Sequence, residues 1–313
     1  MAESAFFSSL THEGVLAARG TDAGKFLQGQ LTCNLDYLNG RAGLGARCTP
    51  KGRMQSSFRI LPQGDGFLLA MAAELVAPQL ADLKKYAVFF RGTRLEDESE
   101  RWSRFGLQGG DAALAALGLA LSAEAGSLAE ADGLLAVRLP DGRAELWVPG
   151  ERAAETRERL LGAVPEAPLN EWLLAQVRAG IGQVFEPTRE LFIPQMINLQ
   201  ALDGVSFRKG CYTGQEIVAR MQYLGRLKRR MHRLTARVES IPMPGVGLFS
   251  PTHGSSVGEV VLAARAGEQV ELLAVVQEDA LRDGHLHLES LEGPALQALD
   301  LPYGLDAERE IQR

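Results

Sequence analysis

Hydrophobic and polar positions alternate over several short stretches of the chain, in the pattern typical of β-hairpins. The stretches 57–61 and 67–71 flank a Pro-Gln-Gly-Asp-Gly turn, and 134–139 and 144–148 flank a Pro-Asp-Gly-Arg turn. After about residue 230, short apolar segments alternate with turns rich in Gly, Pro and Asp. This last pattern predicts a small all-β module at the C-terminal end.

Between the hairpins, apolar residues recur at helical spacing. The pattern predicts helices near residues 21–31, 76–87, 152–161 and 169–179. Pro78 suits a first helical turn, and the apolar run 87–90 is expected to begin a strand. Hairpins interleaved with single helices predict an α+β fold with antiparallel sheets. The chain lacks GxGxxG and GxxxxGK[ST] motifs, which argues against a dinucleotide fold and a P-loop.

Composition narrows the class of protein further. The 313 residues are 46% hydrophobic and 23% charged, with a net charge of −6, so whole-chain disorder is excluded. No apolar run is long enough to span a membrane, and the N-terminus does not resemble a signal peptide. The three cysteines, Cys33, Cys48 and Cys211, lack CxxC or Cys/His ligand spacing. We therefore expect no disulfide scaffold and no metal site, and a reducing cytoplasm.

An excess of acidic residues, 39 against 33 basic ones, argues against a surface that coats nucleic acid. One local exception is a basic segment consisting of Arg226, Lys228, Arg229, Arg230, His232 and Arg233. It is either a solvated, positively charged strand or domain joint, or an RNA-binding patch. A second unusual segment, 181–204, lacks periodicity but is rich in apolar residues, so we expect it to pack across a cavity.

The most informative run of the sequence consists of Lys209, Gly210, Cys211, Tyr212, Thr213, Gly214, Gln215 and Glu216. Thr213 and Glu216 match a capping box, in which each side chain accepts a hydrogen bond from the backbone N–H of the other residue. The match predicts a helix that begins at about Gly214, with Ile217 and Met221 on its inward face.

This arrangement would place Cys211 just before a helix N-terminus and two residues after Lys209. Both neighbours favour a thiolate. Cys211 could then be a nucleophile, a redox sensor or a transient ligand of a metal or cluster. The alternative is a small thiol buried under the loop.

The eight-residue run KGCYTGQE resembles the signature of the YgfZ group, within the superfamily of folate-binding proteins that includes the glycine-cleavage T-protein. Three weaker matches occur in the same order as in that group, at residues 26–32 (FLQGQLT), 51–53 (KGR) and 194–199 (PQMINL). The four matches are spread over roughly residues 20–225.

The resemblance implies a T-protein-like architecture, with antiparallel sheets and flanking helices around a central hole. An outer folate-binding portion, 1–45 with 165–228, would embrace an inserted α+β portion, 46–164, and a C-terminal β-barrel, 229–313, would follow. The hole would accept tetrahydrofolate or a derivative. Members of the group assist the assembly or maintenance of iron–sulfur proteins, and in bacteria this affects tRNA modification. Cys211 would be the functional thiol, with iron–sulfur client or assembly proteins as partners.

Two departures from the superfamily pattern bear on activity. T-proteins carry an acidic pair after a glycine turn, where this chain has Ser56 and Ser57. Because a hydroxyl supplies no carboxylate charge, and loss of a general acid or base costs about 10²–10⁴-fold in rate, aminomethyl transfer is disfavoured. Relatives also place a glutamate, which binds the pterin, where this chain has Arg178. A guanidinium group has hydrogen-bond donors only and cannot replace that carboxylate.

Other residues are candidates for the folate pocket. Trp172 matches an aromatic residue that relatives use there and would stack on the pterin, or else it is a core residue of its helix. Polar contacts would come from Glu186, Glu190, Gln195 and Asn198. Arg53 and Arg226 would meet the glutamate tail of the folate. Two rival functions stay open: a tetrahydrofolate-dependent aminomethyltransferase, and a tRNA-binding module acting through residues 226–233.

Overall fold

Short antiparallel strands and short helices alternate along the chain, as the hydrophobic pattern predicts. The computed structural model describes residues 4–225 and 227–305. The strands are β1 (Phe6–Ser9), β2 (Glu13–Arg19), β3 (Gly43–Cys48), β4 (Met54–Gln63), β5 (Gly66–Ala72), β6 (Arg94–Asp97), β7 (Trp102–Gln108), β8 (Leu128–Ala131), β9 (Leu134–Arg138), β10 (Ala144–Pro149), β11 (Arg229–Ala236), β12 (Gly247–Phe249), β13 (Gly258–Ala266), β14 (Gln269–Gln277), β15 (Leu286–Leu288) and β16 (Ala295–Leu299).

The helices are α1 (Ala23–Gln28), α2 (Ala73–Ala87), α3 (Asp111–Ala116), α4 (Ala153–Leu161), α5 (Leu169–Arg178), α6 (Gln215–Tyr223) and α7 (Glu278–Asp283). Short 3₁₀ helices cover Leu35–Leu38, Gly150–Arg152, Glu186–Thr188, Pro194–Ile197 and Leu199–Leu202. Within the described ranges, no helix is long and apolar enough to cross a membrane.

The strands form two open sheets and one barrel. One sheet has the order β1-β7-β10-β9-β8 and the other β3-β4-β5-β2-β6, while β11-β14-β13-β12-β15-β16 close into a barrel. The α+β class, the antiparallel sheets and the C-terminal β-barrel are therefore confirmed. Both predicted hairpins are present, with Ile60 opposite Leu69 in β4 and β5 and Leu146 opposite Ala136 in β10 and β9.

Two predictions about the region of α2 are wrong: the position of Pro78 in the helix and the strand at 87–90. This helix begins directly after β5, with no hydrogen-bonding side chain at its N-cap, Ala72. Pro78 consequently lies in the second turn instead of the first, because the sequence offers no residue that marks the true start. The run 87–90 is not a strand either: α2 continues to Ala87, and a turn follows.

The chain divides into two compact units. The first contains residues 4–28, 34–44 and 58–172, and the second contains residues 29–33, 45–57, 173–225 and 227–305. The first has a core around Phe7, Phe105 and Leu146, and the barrel in the second has its own core, which includes Leu234 and Leu272. The three-part division into 1–45 with 165–228, 46–164 and 229–313 stays a prediction.

A buried ionic network lies inside the first unit. The Arg104 guanidinium donates to Glu13 Oε2 at 2.5 Å and to Glu145 Oε2 at 2.7 Å, and Arg59 Nε lies 2.8 Å from Glu145 Oε1. Arg104 also covers the Trp147 ring, 4.4 Å from its centroid. Burial would raise the pKa of Glu13, but Arg104 lowers it to about 2. The carboxylate therefore stays ionised until the pH approaches about 2.

The Arg104→Met substitution should destabilise the first unit by about 3–5 kcal/mol at neutral pH, because it leaves Glu13 buried without its main partner and Glu145 with Arg59 alone. The loss should shrink at pH 4, where burial without Arg104 lets Glu13 take up a proton. Wild type should lose the contribution of Glu13 only as pH falls from the usual pKa of 4.5 towards about 2.

Urea unfolding at pH 7 and pH 4, followed by tryptophan fluorescence, measures this, since Trp102, Trp147 and Trp172 are the only tryptophans and all lie in the first unit. The control is Arg101→Met. This substitution removes the ion pair between Glu98 and the Arg101 side chain, which is 70% exposed. Equal losses in the two variants would contradict the network's role.

Candidate functional site

The signature run 209–216 lies in the second unit and leads directly into α6. The helix begins at Gln215, one residue after the predicted start. The predicted capping box is wrong, because the N-cap is Gly214 and it has no side-chain hydrogen bond. The Thr213 N–H instead donates to the Gly29 carbonyl at 3.2 Å, and the exposed Glu216 pairs with Arg220 at 3.4 Å.

Gly214 replaces the expected cap because two backbone segments meet there. Its φ is +86°, and a Cβ at this position would lie 2.5 Å from the Thr49 carbonyl oxygen. On the other side of the contact Gly52 has a φ of +71°, and its Cβ would lie 3.0 Å from Ile217. Both positions therefore need glycine, for backbone conformation and for space. The two matches KGR and KGCYTGQE, far apart in sequence, thus pack on each other.

Helix α6 presents a different face inward from the predicted one. Val218 and Gln222 are buried, while Ile217 and Met221 are only half-buried. The inward face is thus one residue further along the helix than predicted. Gln195 Nε2 donates to the Val218 carbonyl at 2.7 Å, which links α6 to the 3₁₀ helix at Pro194–Ile197.

Lys209 is buried, and its ammonium group donates hydrogen bonds to the backbone. Nζ donates to the carbonyl oxygens of Leu31 and Cys33, each at 2.7 Å, and lies 5.2 Å from the centroid of the Tyr212 ring. These contacts hold the start of the signature run against residues 29–33. The predicted influence of this charge on Cys211 stays a prediction.

The three cysteines differ in exposure. Cys33 and Cys48 are buried, and Cys211 is exposed. Burial raises the pKa of Cys33 to about 11, against a lowering effect of Lys209, and it raises the pKa of Cys48 to about 12. Two of the thiols therefore stay protonated and shielded, and Cys211 is the cysteine that an external partner can reach.

Several buried polar atoms of the second unit have no hydrogen-bond partner among the described residues. Gln195 Oε1 and Asn198 Oδ1 have no hydrogen bond among the described residues, and neither does the hydroxyl group of Tyr212. Asn198 is fully buried with a φ of +58°, and its Nδ2 donates to the Met231 carbonyl at 3.0 Å. Such atoms are costly when unpaired, which is typical of a site that receives a ligand or water.

Tyr303 was not among the predicted site residues, yet it contacts Asn198. Its hydroxyl donates to the Gly180 carbonyl at 2.6 Å and accepts from Asn198 Nδ2 at 3.4 Å. A Cβ at Gly180 would lie 2.7 Å from the Tyr303 ring, so the two are in close contact. The available sequence signal was an aromatic residue inside a Pro-Tyr-Gly turn of an otherwise polar tail.

The two serines at the expected acidic positions are buried and have structural surroundings. Ser57 Oγ accepts from the Val184 N–H at 2.9 Å, and Ser56 Oγ has no partner among the described residues. Neither is a carboxylate, and neither titrates near neutral pH. These positions therefore supply no general base.

Arg53 contacts the segment 185–193, which contains the two loop glutamates, Glu186 and Glu190. Arg53 Nη1 donates to the Leu191 carbonyl at 2.6 Å, and Arg53 is half-buried. Glu186 is exposed and lies 3.7 Å from Arg189. Glu190 is also exposed and accepts from Gln55 Nε2 at 3.4 Å. Arg226, the other residue predicted to meet the folate tail, lies outside the described residues.

Arg178 makes an ion pair with the barrel. Its guanidinium Nη2 lies 2.9 Å from Glu271 Oε1, and Arg233 Nη2 lies 2.7 Å from Oε2 of the same carboxylate. Burial would raise the pKa of Glu271, but the two guanidinium groups lower it. The charge of Arg178 is thus neutralised within the second unit.

The basic segment after Arg226 is partly neutralised in the same way. Arg229 pairs with Glu259, Arg233 pairs with Glu271, and His232 Nε2 lies 3.1 Å from Glu278. These pairs lower the net positive charge that the sequence alone suggested for 226–233. They favour the interpretation of this segment as a charged barrel strand.

Trp172 lies in the first unit and is 2% exposed. The Arg143 guanidinium covers its ring at 4.0 Å, and a Cβ at Gly106 would lie 2.3 Å from the indole. The side chain thus has the surroundings of a core residue, and its role in folate stacking stays a prediction. Within residues 4–225 and 227–305, no three His, Cys, Asp or Glu side chains are grouped so that they could hold a metal.

Comparison with known proteins agrees with this geometry. The chain is 34% identical to the tRNA-modifying protein YgfZ of Photorhabdus laumondii over 318 aligned positions, which cover 96% of this chain and 93% of that protein. It is also 34% identical to the YgfZ protein of Cronobacter sakazakii, over 95% of this chain and 93% of that one. No protein-family model matches the chain.

Among solved structures, the glycine cleavage system aminomethyltransferase T from Bartonella henselae superposes with a TM-score of 0.73. The match covers 96% of this chain and 86% of the other, at 17% identity, and so shows a shared fold. The predicted T-protein-like fold is therefore confirmed. With relatives at about one-third identity along nearly the whole chain, this protein belongs to the YgfZ family.

Proposed function

We propose that this chain is a folate-binding accessory protein that supports tRNA modification by assisting iron–sulfur proteins. Tetrahydrofolate or a derivative would bind in the second unit, and Cys211 would be the thiol that meets an iron–sulfur client or assembly protein. The relatives' name, tRNA-modifying protein, supports the link to tRNA, and the T-protein fold supports the folate. The reducing cytoplasm, which keeps such a thiol reduced, is the proposed location.

The observation that carries the folate proposal is the group of unpaired acceptors at Gln195 and Asn198. A reduced pterin has amide and amino N–H groups, which need acceptors. In both side chains the amide nitrogen already donates to a backbone carbonyl, so the oxygen remains available. The residues present therefore fit the donor pattern of a pterin.

The negative end of a folate needs a different partner. Arg53 uses one guanidinium nitrogen on the Leu191 carbonyl and is only half-buried. Its other N–H groups can meet a carboxylate of the glutamate tail, which is the geometry that arginine favours. Glu186 keeps its predicted folate role as part of this proposal, and the predicted roles of Trp172 and Arg226 stay predictions.

Aminomethyl transfer is the second candidate, favoured by the shared fold with a T-protein. The surroundings of Ser56 and Ser57 weigh against it, because both are buried hydroxyl groups and supply no carboxylate. Without that group, a folate-dependent transfer would lose about 10²–10⁴-fold in rate. We therefore favour an accessory role in which the folate is held or sensed.

Isothermal titration calorimetry with tetrahydrofolate and with tetrahydropterin, which lacks the glutamate tail, tests the pocket. Arg53→Gln should weaken tetrahydrofolate binding by about 1.5–3 kcal/mol, since a charge-assisted hydrogen bond is lost, and should leave tetrahydropterin binding unchanged. The matched control is Arg208→Gln, which removes an exposed arginine from the same unit. Absence of heat with both ligands on wild type would refute the folate role.

The role of Cys211 can be tested first by chemistry and then in cells. A thiol reagent should modify one cysteine rapidly in the native protein and three after unfolding, because Cys33 and Cys48 are buried with raised pKa values. Cys211→Ser should remove the fast reaction and leave thermal stability and folate binding unchanged.

In cells that lack the native protein, Cys211→Ser should lower the activity of iron–sulfur enzymes and the level of tRNA modifications that depend on them. Arg208→Gln should restore both and serves as the control. Full restoration by Cys211→Ser would remove the thiol from the mechanism while leaving the folate proposal intact.

A further inference from the structure

A cluster of apolar side chains is exposed where α2 ends in the first unit. Phe89 is 82% exposed, Val88 64% and Tyr86 45%. The buried face of the same helix includes Leu75 and Leu83, and these three residues lie outside that face. We call residues 84–91 the basic–aromatic turn. A cluster of apolar side chains on the surface, in contact with water, is typical of an interaction site.

The turn is an ordered structure and not a frayed helix end. The Phe90 ring packs on the Phe26 ring with centroids 5.3 Å apart, and the Phe90 N–H donates to the Ala87 carbonyl at 2.8 Å. The next residue but one, Gly92, donates its N–H to Asp22 Oδ2 at 2.9 Å. Because Phe90 is anchored inward, Phe89 is held outward. Its exposure therefore follows from the fold itself.

Positive charge surrounds these aromatic residues. Lys84, Lys85 and Arg91 are exposed, and only Lys85 has an ion pair among the described residues, with Asp82 at 3.2 Å. The charges of Lys84 and Arg91 are thus available in a chain whose net charge is −6. A surface that combines free cations with an outward aromatic ring complements an anion that carries flat, stackable groups.

We propose that the basic–aromatic turn binds an unpaired segment of RNA. Phosphates would meet Lys84 and Arg91, and a base would stack on Phe89, as bases of single strands stack on exposed aromatic rings. A lipid surface fits less well, because α2 exposes Ala73, Glu74, Ala77 and Ala81 along its length and lacks the broad apolar face of a helix that lies in a membrane. This surface is separate from the basic segment 226–233.

Fluorescence anisotropy of the full chain with labelled oligoadenylate tests the proposal, with a perfectly paired RNA duplex for comparison. Wild type should bind the single strand more tightly than the duplex, and binding should weaken with salt. Phe89→Ala and Phe89→Leu should each weaken binding by about ten-fold, because leucine keeps the apolar surface but not the ring. Lys84→Gln combined with Arg91→Gln should reduce the salt slope by about 1.4.

Two control variants locate the contact. Arg237→Gln removes a charge that is 74% exposed on the barrel and should leave RNA binding unchanged. Lys228→Gln, in the basic segment 226–233, should also leave it unchanged. Loss of binding in Lys228→Gln with full binding in Phe89→Ala would overturn the proposal in favour of that segment.

Three further results would overturn the proposal. They are no RNA binding at low salt, equal binding by wild type and Phe89→Leu, and binding to phosphatidylserine vesicles in place of RNA. Tetrahydrofolate titration of Phe89→Ala separates this proposal from the folate role, because the variant should bind tetrahydrofolate as wild type does. Absence of RNA binding together with normal folate binding would therefore overturn this inference and leave the folate proposal intact.

Discussion

The close approach of two backbone turns at Gly52 and Gly214 is the constraint on which the arrangement of the candidate site depends. Both residues have positive φ, and a Cβ on either would meet neighbouring atoms at 3.0 Å or less. A residue other than glycine would add strain of about 1–3 kcal/mol at each position, besides the collision. The start of α6, the position of Cys211 before it and the fold of the turn 49–53 all follow from this contact.

Lys209 completes the same arrangement from the other side. Its ammonium group is buried, which would be costly without partners, and two carbonyl oxygens at 2.7 Å offset that cost. The side chain thereby ties the signature run to residues 29–33. With Lys209 held inward and Tyr212 buried, Cys211 between them is exposed. A partner of the proposed kind would therefore meet a thiol on fixed backbone, at little conformational cost.

Sequence alone predicted the elements whose signals are local. The hairpin of β9 and β10 has alternating side chains and a turn of Pro, Asp and Gly, so both strands and their connection could be found. The cap of α6 could not, because Thr213 and Glu216 are a valid local signal that a distant contact of Gly214 overrides. The same limit applies to Arg104, whose partner Glu13 lies 91 residues away in sequence. No pattern of spacing or periodicity encodes such a pair.

Gln195 and Asn198, two residues of the proposed pterin site, show how the fold fixes the orientation of a buried amide. A backbone carbonyl can only accept, so the Val218 and Met231 carbonyls force each amide to present its nitrogen to them. The two amide oxygens must then point away from these carbonyls, as acceptors. Because both orientations are set by the protein, a ligand that brought N–H donors to these oxygens would gain hydrogen bonds without ordering the side chains. Preorganised acceptors of this kind would favour a donor-bearing ring over a carboxylate, as the proposed pterin site requires.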